Sequence, residues 1–255
     1  MKIKIIMLVG SGTSSKIMFH ALQKEFTIEK VIVEKKLSKQ KVIKNRMKRL
    51  GLLKVFGQVL FLIFNKFLMK ISKKQIKYLK DKYHLDDSGF DSDIVEHVES
   101  INDEETKKII RDINPNVIVV NGTRIISTEI LTSTQAIFLN THVGITPKYR
   151  GVHGGYWALV EQDYRNCGVT VHEVDRGIDT GNIIYQDRIT IGNYDDFNTY
   201  PYHQIAKAIP LMKQAIRDIM GSNLKYVETY DKESKLWYHP TLFEYIKYRL
   251  ILGVK

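Results

Sequence analysis

The stretch Ala136-Ile137-Phe138-Leu139, followed directly by Asn140-Thr141-His142, constrains this chain more than any other. Four consecutive apolar residues read as a strand covered on both faces, the situation of a parallel sheet with helices above and below it. Polar side chains then crowd the strand's carboxyl end, where open α/β sheets place their ligands. Side chains alternate along a strand, so Asn140 and His142 project to the same side. A second predicted strand, residues 169–174, runs into the tight loop Asp175-Arg176-Gly177-Ile178-Asp179-Thr180-Gly181. An amide, an imidazole and a carboxylate of that loop are therefore expected in one crevice, a set suited to acyl transfer to an amine.

A chain of 255 residues suits one large domain, or one domain with a small appendage, and 44% hydrophobic residues make it globular. Its single cysteine, Cys167, excludes a disulfide framework, fits a reducing cytoplasm, and reads as a small buried residue before a strand. At the N-terminus the apolar run of residues 5–9 is too short for a signal peptide's core and reads as a first strand. Gly10-Ser11-Gly12-Thr13 then forms a glycine-rich turn into a helix over residues 16–25. Such a turn offers backbone N–H groups and a helix dipole to a phosphate, although strand-to-helix turns need glycine in any case. Residues 117–120 form a further apolar strand, leading into Asn121-Gly122-Thr123-Arg124-Ile125-Ile126.

Residues 35–80 differ in kind. They hold 15 Lys or Arg and no Asp or Glu, while the whole chain is +11, so the remainder is net acidic. The unbroken apolar run 59–64 is too short to cross a bilayer, and no transmembrane segment is expected. Three readings fit: an amphipathic helix on anionic lipid, a basic patch for nucleic acid, or a helical insertion. The last is favoured, with no nucleic-acid partner. Its apolar centre should lie under the sheet, the C-terminal segment or a second subunit, which leaves a homodimer open. The acidic stretch that follows lacks EF-hand spacing, and no other metal-ligand spacing occurs, so no metal is expected. A C-terminal helix over residues 202–220 precedes an aromatic tail with Tyr226, Tyr230, Trp237, Tyr238, Tyr245 and Tyr248.

Taken in order, Asn140-x-His142, Pro147-x-x-Arg150-Gly151, Gly168-Val169-Thr170 and Asp179-Thr180-Gly181 resemble the formyltransferase family that uses 10-formyltetrahydrofolate. The resemblance is dense over about residues 116–191. It implies an α/β, Rossmann-like fold with a mostly parallel sheet flanked by helices, a helical N-terminal insertion and a small C-terminal appendage. The expected layout is a catalytic domain over 1–221, with the insertion at about 35–110, and an appendage over 222–255. By resemblance Asn140, His142 and Asp179 are the catalytic set, while Arg124, Ile125 and Ile126 border the pterin of the formyl donor. Gly10, Ser11, Gly12 and Thr13, with Tyr149 and Arg150 bracketing the crevice, are the expected substrate-binding residues. The substrate class most resembled is a nucleotide-linked amino sugar of bacterial surface-glycan synthesis. Glycinamide ribonucleotide and methionyl-tRNA are the enzyme alternatives, and a binding module that keeps the fold is the non-enzyme alternative. His172 reads as a hydrogen-bonded core residue.

Overall fold

The computed structural model describes residues 3–229 and 233–255, so Tyr230 of the aromatic tail lies outside the described residues. Seven strands form one sheet: β1 (Ile5–Gly10), β2 (Ile28–Glu34), β3 (Val95–Val98), β4 (Val117–Asn121), β5 (Ile137–His142), β7 (Gly168–Glu173) and β8 (Ile183–Arg188). A separate pair, β6 (Tyr149–Gly151) and β9 (Lys235–Trp237), completes the set. The large sheet runs β3-β2-β1-β4-β5-β7-β8. Every pairing from β3 to β5 is parallel, while β5–β7 and β7–β8 are antiparallel. The mostly parallel α/β architecture expected from the apolar runs is the one observed.

Helices α1 (Thr13–Gln23), α4 (Glu104–Ile113), α5 (Thr128–Leu131), α6 (Gly154–Val160) and α7 (Tyr200–Met220) surround this sheet. The period of two in β1 sorts its side chains into two cores. Ile5, Met7 and Val9 pack with α1 and α7, whereas Ile6 and Leu8 pack with Ile110 of α4 and Ile130 of α5. α4 starts at Asp103, whose carboxylate accepts from the Thr106 N–H, and stops at Asn114 in the left-handed conformation. Both are ordinary ways of satisfying orphan groups at helix ends. Gly10 ends β1 where the chain touches the loop after β4. A Cβ there would sit 2.3 Å from the Gly122 carbonyl oxygen, so only glycine fits.

The basic segment folds as α2 (Lys39–Leu50) and the 31-residue α3 (Leu52–Lys82). The helical insertion ends there. β3, inside the expected span 35–110, and α4, which begins within it, belong to the sheet and its flank. α3 leans on α8 (Leu242–Leu252), approaching so closely that a Cβ on Gly57 would fall 2.8 Å from Thr241, the N-cap of α8. Between them lies a third, aromatic core of Phe61, Tyr149, Tyr156, Trp157, Phe197, Trp237 and Tyr245. The run 59–64 meets its expected cover only in part. Phe61 is buried against Phe197 and Tyr245, but Leu60, Leu62 and Ile63 stay exposed. A helix shows the body one side only, and a six-residue apolar run wraps round the whole circumference. By length and composition α3 could cross a membrane, although the sequence reading of its longest apolar run pointed away from one.

Candidate active site

The carboxyl ends of β4, β5 and β7 open into a cleft of about 500 Å³. Its walls include Asn121, Arg124, Ile125 and Ile126 on one side, with Asn140, His142, His172 and Asp179 at its floor. The structure thus brings the three expected residues together. β5 delivers Asn140 and His142 on one face, and the β7–β8 loop delivers Asp179 at φ +53°, a left-handed conformation that Asp tolerates.

Asp179 Oδ2 accepts from the Gly151 N–H at 2.9 Å and lies 3.2 Å from His142 Nδ1. His142 Nε2 lies 2.6 Å from the Tyr149 carbonyl oxygen. A carbonyl only accepts, so Nε2 carries a proton. Burial lowers the His142 pKa, opposed by the Asp179 carboxylate. Burial pushes the Asp179 carboxyl up, but His142, His172 and the Gly151 amide outweigh it and the net shift is downward. With Nε2 protonated, Nδ1 faces the Asp179 carboxylate, and a proton at Nδ1 would be shared between the two.

His172 belongs here too. Its Nδ1 stands 2.5 Å from the Glu173 carbonyl and must donate, which leaves Nε2 to accept from the Asn140 side-chain Nδ2 at 3.2 Å. The same Nε2 is 3.7 Å from Asp179 Oδ1. His172 therefore fixes which way the Asn140 amide points. The sequence reading placed it in the core; the missed signal is the antiparallel register that sets His172 directly opposite Asn140.

Three other expectations need correction. Tyr149 does not bracket the crevice: its ring is fully buried, stacked on Trp237, with its hydroxyl donating to Asp163. Only its carbonyl serves the cleft, through His142, because the short β6 turns the ring into the aromatic core. Arg150 is spent on the loop itself, its Nη1 donating to the Ile178 carbonyl at 3.0 Å. The Arg124 guanidinium turns to the Glu34 carboxylate and to the carbonyls of Lys35 and Glu99. The Arg124–Ile126 loop still lines the cleft, with Ile125 54% exposed and Ile126 buried. The turn Gly10, Ser11, Gly12 and Thr13 caps α1 through Gly12 but does not line the cleft. Ser14 does, with its hydroxyl donating to Asn121 Oδ1 at 3.0 Å.

Two further histidines, His153 and His239, form a wall of the cleft. His153 Nε2 is 2.9 Å from Nδ1 of His239, which arrives from the C-terminal segment. Burial holds the His153 pKa well below its usual value, and burial together with Arg46 of α2 brings that of His239 down to about 4. β9 makes this possible by pairing with β6, where Val152 N–H donates to the Trp237 carbonyl. Among the described residues no group of His, Cys, Asp or Glu is arranged to hold a metal ion.

Over residues 63–210, more than half its length, the chain matches the formyl transferase family, and it belongs to that family. A methionyl-tRNA formyltransferase of Caldanaerobacter subterraneus is 34% identical over 99 residues, 38% of this chain and 32% of the relative. The chain thus matches about a third of the length of such curated relatives. Among solved structures, glycinamide ribonucleotide transformylase 1 of Symbiobacterium toebii superposes with a TM-score of 0.57 at 18% identity, covering 92% of this chain and 94% of that one. WlaRD, a sugar 3N-formyl transferase solved in the presence of dTDP and 5-N-formyl-THF, gives 0.54 at 17% identity, covering 93% and 70%. At these identities the two structures establish the shared fold.

Proposed function

We propose that the cleft transfers a formyl group from 10-formyltetrahydrofolate to the amino group of a nucleotide-linked amino sugar. The observation that carries this reading is the convergence of Asn140, His142 and Asp179 on one half-enclosed floor. A donor of this kind fits the walls present. Ile125, Val174 and Ile178 give an apolar flank, and Thr141 Oγ1, buried and without a hydrogen-bond partner among the described residues, adds a polar atom. The loop Arg124–Ile126 would border the pterin through Ile125 and its backbone. The co-substrate supplies an activated formyl amide, so no covalent enzyme intermediate is required.

This chain's own groups then divide the work. Asn140 keeps one amide N–H on His172 and turns the other to the oxygen that gains negative charge as the amine attacks. His142 has Nε2 engaged by the Tyr149 carbonyl, so its part is at Nδ1, where the proton released by the amine is held. Asp179, anchored by Gly151, stabilises the imidazolium so formed, and His142 returns that proton to the departing donor nitrogen as its bond to the formyl carbon breaks, leaving tetrahydrofolate and the N-formylated product. Support for the acceptor class comes from sugar N-formyltransferases among the structures that superpose on most of this chain. An acceptor screen with 10-formyltetrahydrofolate, offering dTDP- and UDP-linked amino sugars, glycinamide ribonucleotide and methionyl-tRNA, tests the reading. Formylation of an amino sugar is the expected result. Turnover of methionyl-tRNA alone overturns the substrate class, and no turnover of any amine overturns the activity.

A further inference from the structure

α3 is apolar on both of its sides. The side that meets the protein carries Gln58, Asn65 and Ser72 among its apolar residues. Gln58 donates to the His239 carbonyl at 2.8 Å, Asn65 exchanges hydrogen bonds with Asn198 at 3.0 Å, and Ser72 donates to Asp196 at 2.6 Å. The side that meets solvent is an apolar stripe of Leu53, Phe56, Leu60, Ile63, Phe67 and Ile71, spaced three or four residues apart and all exposed. At 1.5 Å per residue it is about 27 Å long. Leu53 is 87% exposed, more than any other residue of the stripe. α8, which packs against α3, also exposes Phe243, Leu250 and Ile251. A patch of this extent on a soluble surface marks an interaction site.

Charge says what covers it. Between residues 35 and 80 stand 15 Lys or Arg and no acidic residue. α2 buries none of its residues, and half of its twelve are basic. By helical spacing Lys66, Lys70 and Lys74 lie along the edge of the stripe. A second copy docked through the same face would set two such segments against each other without a single carboxylate from either. An anionic bilayer offers both missing partners, negative headgroups for the lysines and an acyl boundary for the stripe. Spanning is disfavoured, because crossing would strip Gln58, Asn65 and Ser72 of their partners. We propose that the outer face of α3, with α2 and α8, seats this protein in the plane of an anionic lipid surface.

Flotation of the full chain with phosphatidylcholine vesicles, with and without phosphatidylglycerol, reads this directly. Wild-type protein is expected to float with the phosphatidylglycerol vesicles at low salt and progressively less as salt rises. Ile63→Ser combined with Phe67→Ser should lower partitioning at least about tenfold, since each loses an apolar side chain from the acyl boundary. Thermal melting and formyl transfer should be unchanged, the two side chains being exposed and remote from the cleft. Lys44→Gln with Lys48→Gln and Lys54→Gln should weaken binding at low salt only. Absence of wild-type protein from anionic vesicles overturns the proposal without reference to any variant. So does a concentration-dependent dimer that Ile63→Ser disperses, which would give the face to a second copy. Single-stranded RNA held by the wild type and indifferent to Ile63→Ser would give it to nucleic acid. Protein that resists alkaline carbonate extraction would mean that α3 spans.

Discussion

The cleft and the outer face of α3 both break the burial rule, in opposite directions. At the cleft, titratable groups are inside: His142 is 4% exposed and His172 3%. On α3, large apolar groups are outside, with Phe56 at 60% and Ile63 at 60%. The cleft's anomaly is resolved within the molecule, because His142, His172 and Asp179 each meet a carbonyl, an amide or a carboxylate. The anomaly on α3 has no internal resolution. Buried polarity closed upon itself marks chemistry, and exposed apolarity left open marks a surface that waits for something else.

The sharpest break is at the cleft. His142→Ala should lower formyl transfer by about 10²–10⁴-fold, the usual worth of a positioned acid–base group, with Asp179→Asn following by less. Urea midpoints should move little compared with turnover. Near-normal initial rates in His142→Ala would remove His142 from the chemistry. Next comes α3, whose two sides should answer differently to similar truncations. Phe61→Ala, on the buried side, should cost about 3–5 kcal/mol by urea unfolding, because it empties the centre of the aromatic core. Ile63→Ser, two residues away, should stay within about 0.5 kcal/mol. Equal losses at both positions would mean that the outer face is covered within the monomer.

The smallest effect concerns acid. The folded-state pKa of His239 is about 4, below the unfolded value, and that of His153 is lower than usual too. Between about pH 6.5 and pH 4 the unfolded chain therefore binds more protons, and stability falls as pH falls; above that window these residues contribute no slope. The His239 share is roughly 2–3 kcal/mol. Asp179, whose pKa is lowered, acts in the same direction, its stabilisation being lost as pH drops through its folded value. Urea midpoints measured across this range should decline in the wild type and decline less in His239→Gln. Identical slopes would take His239 out of the linkage.

What the sequence disclosed follows from range. Strands β1, β4 and β5 are legible because continuous apolar runs need no partner to be recognised, and Asn140 with His142 because a period of two fixes their side. Asp179 is legible only through the motif Asp179-Thr180-Gly181 that carries the family resemblance, since its loop also holds Asp175. Tyr149 and Arg150 went astray because β6 is three residues long, too short for alternation to say which side chain faces the cleft. His239 was invisible for a different reason. It lies 86 residues from His153 and meets it only because β9 pairs with β6. The outer face of α3 was misjudged because composition reports how apolar a helix is and not which side its neighbours take.

The parallel pairing of β6 with β9 also orders events in time. A polypeptide leaves the ribosome from its N-terminus, so every strand of the large sheet is made before Lys235–Trp237. The residues of the cleft's floor are therefore synthesised before the wall that carries His239. The enclosure of the cleft thus waits on a three-residue latch.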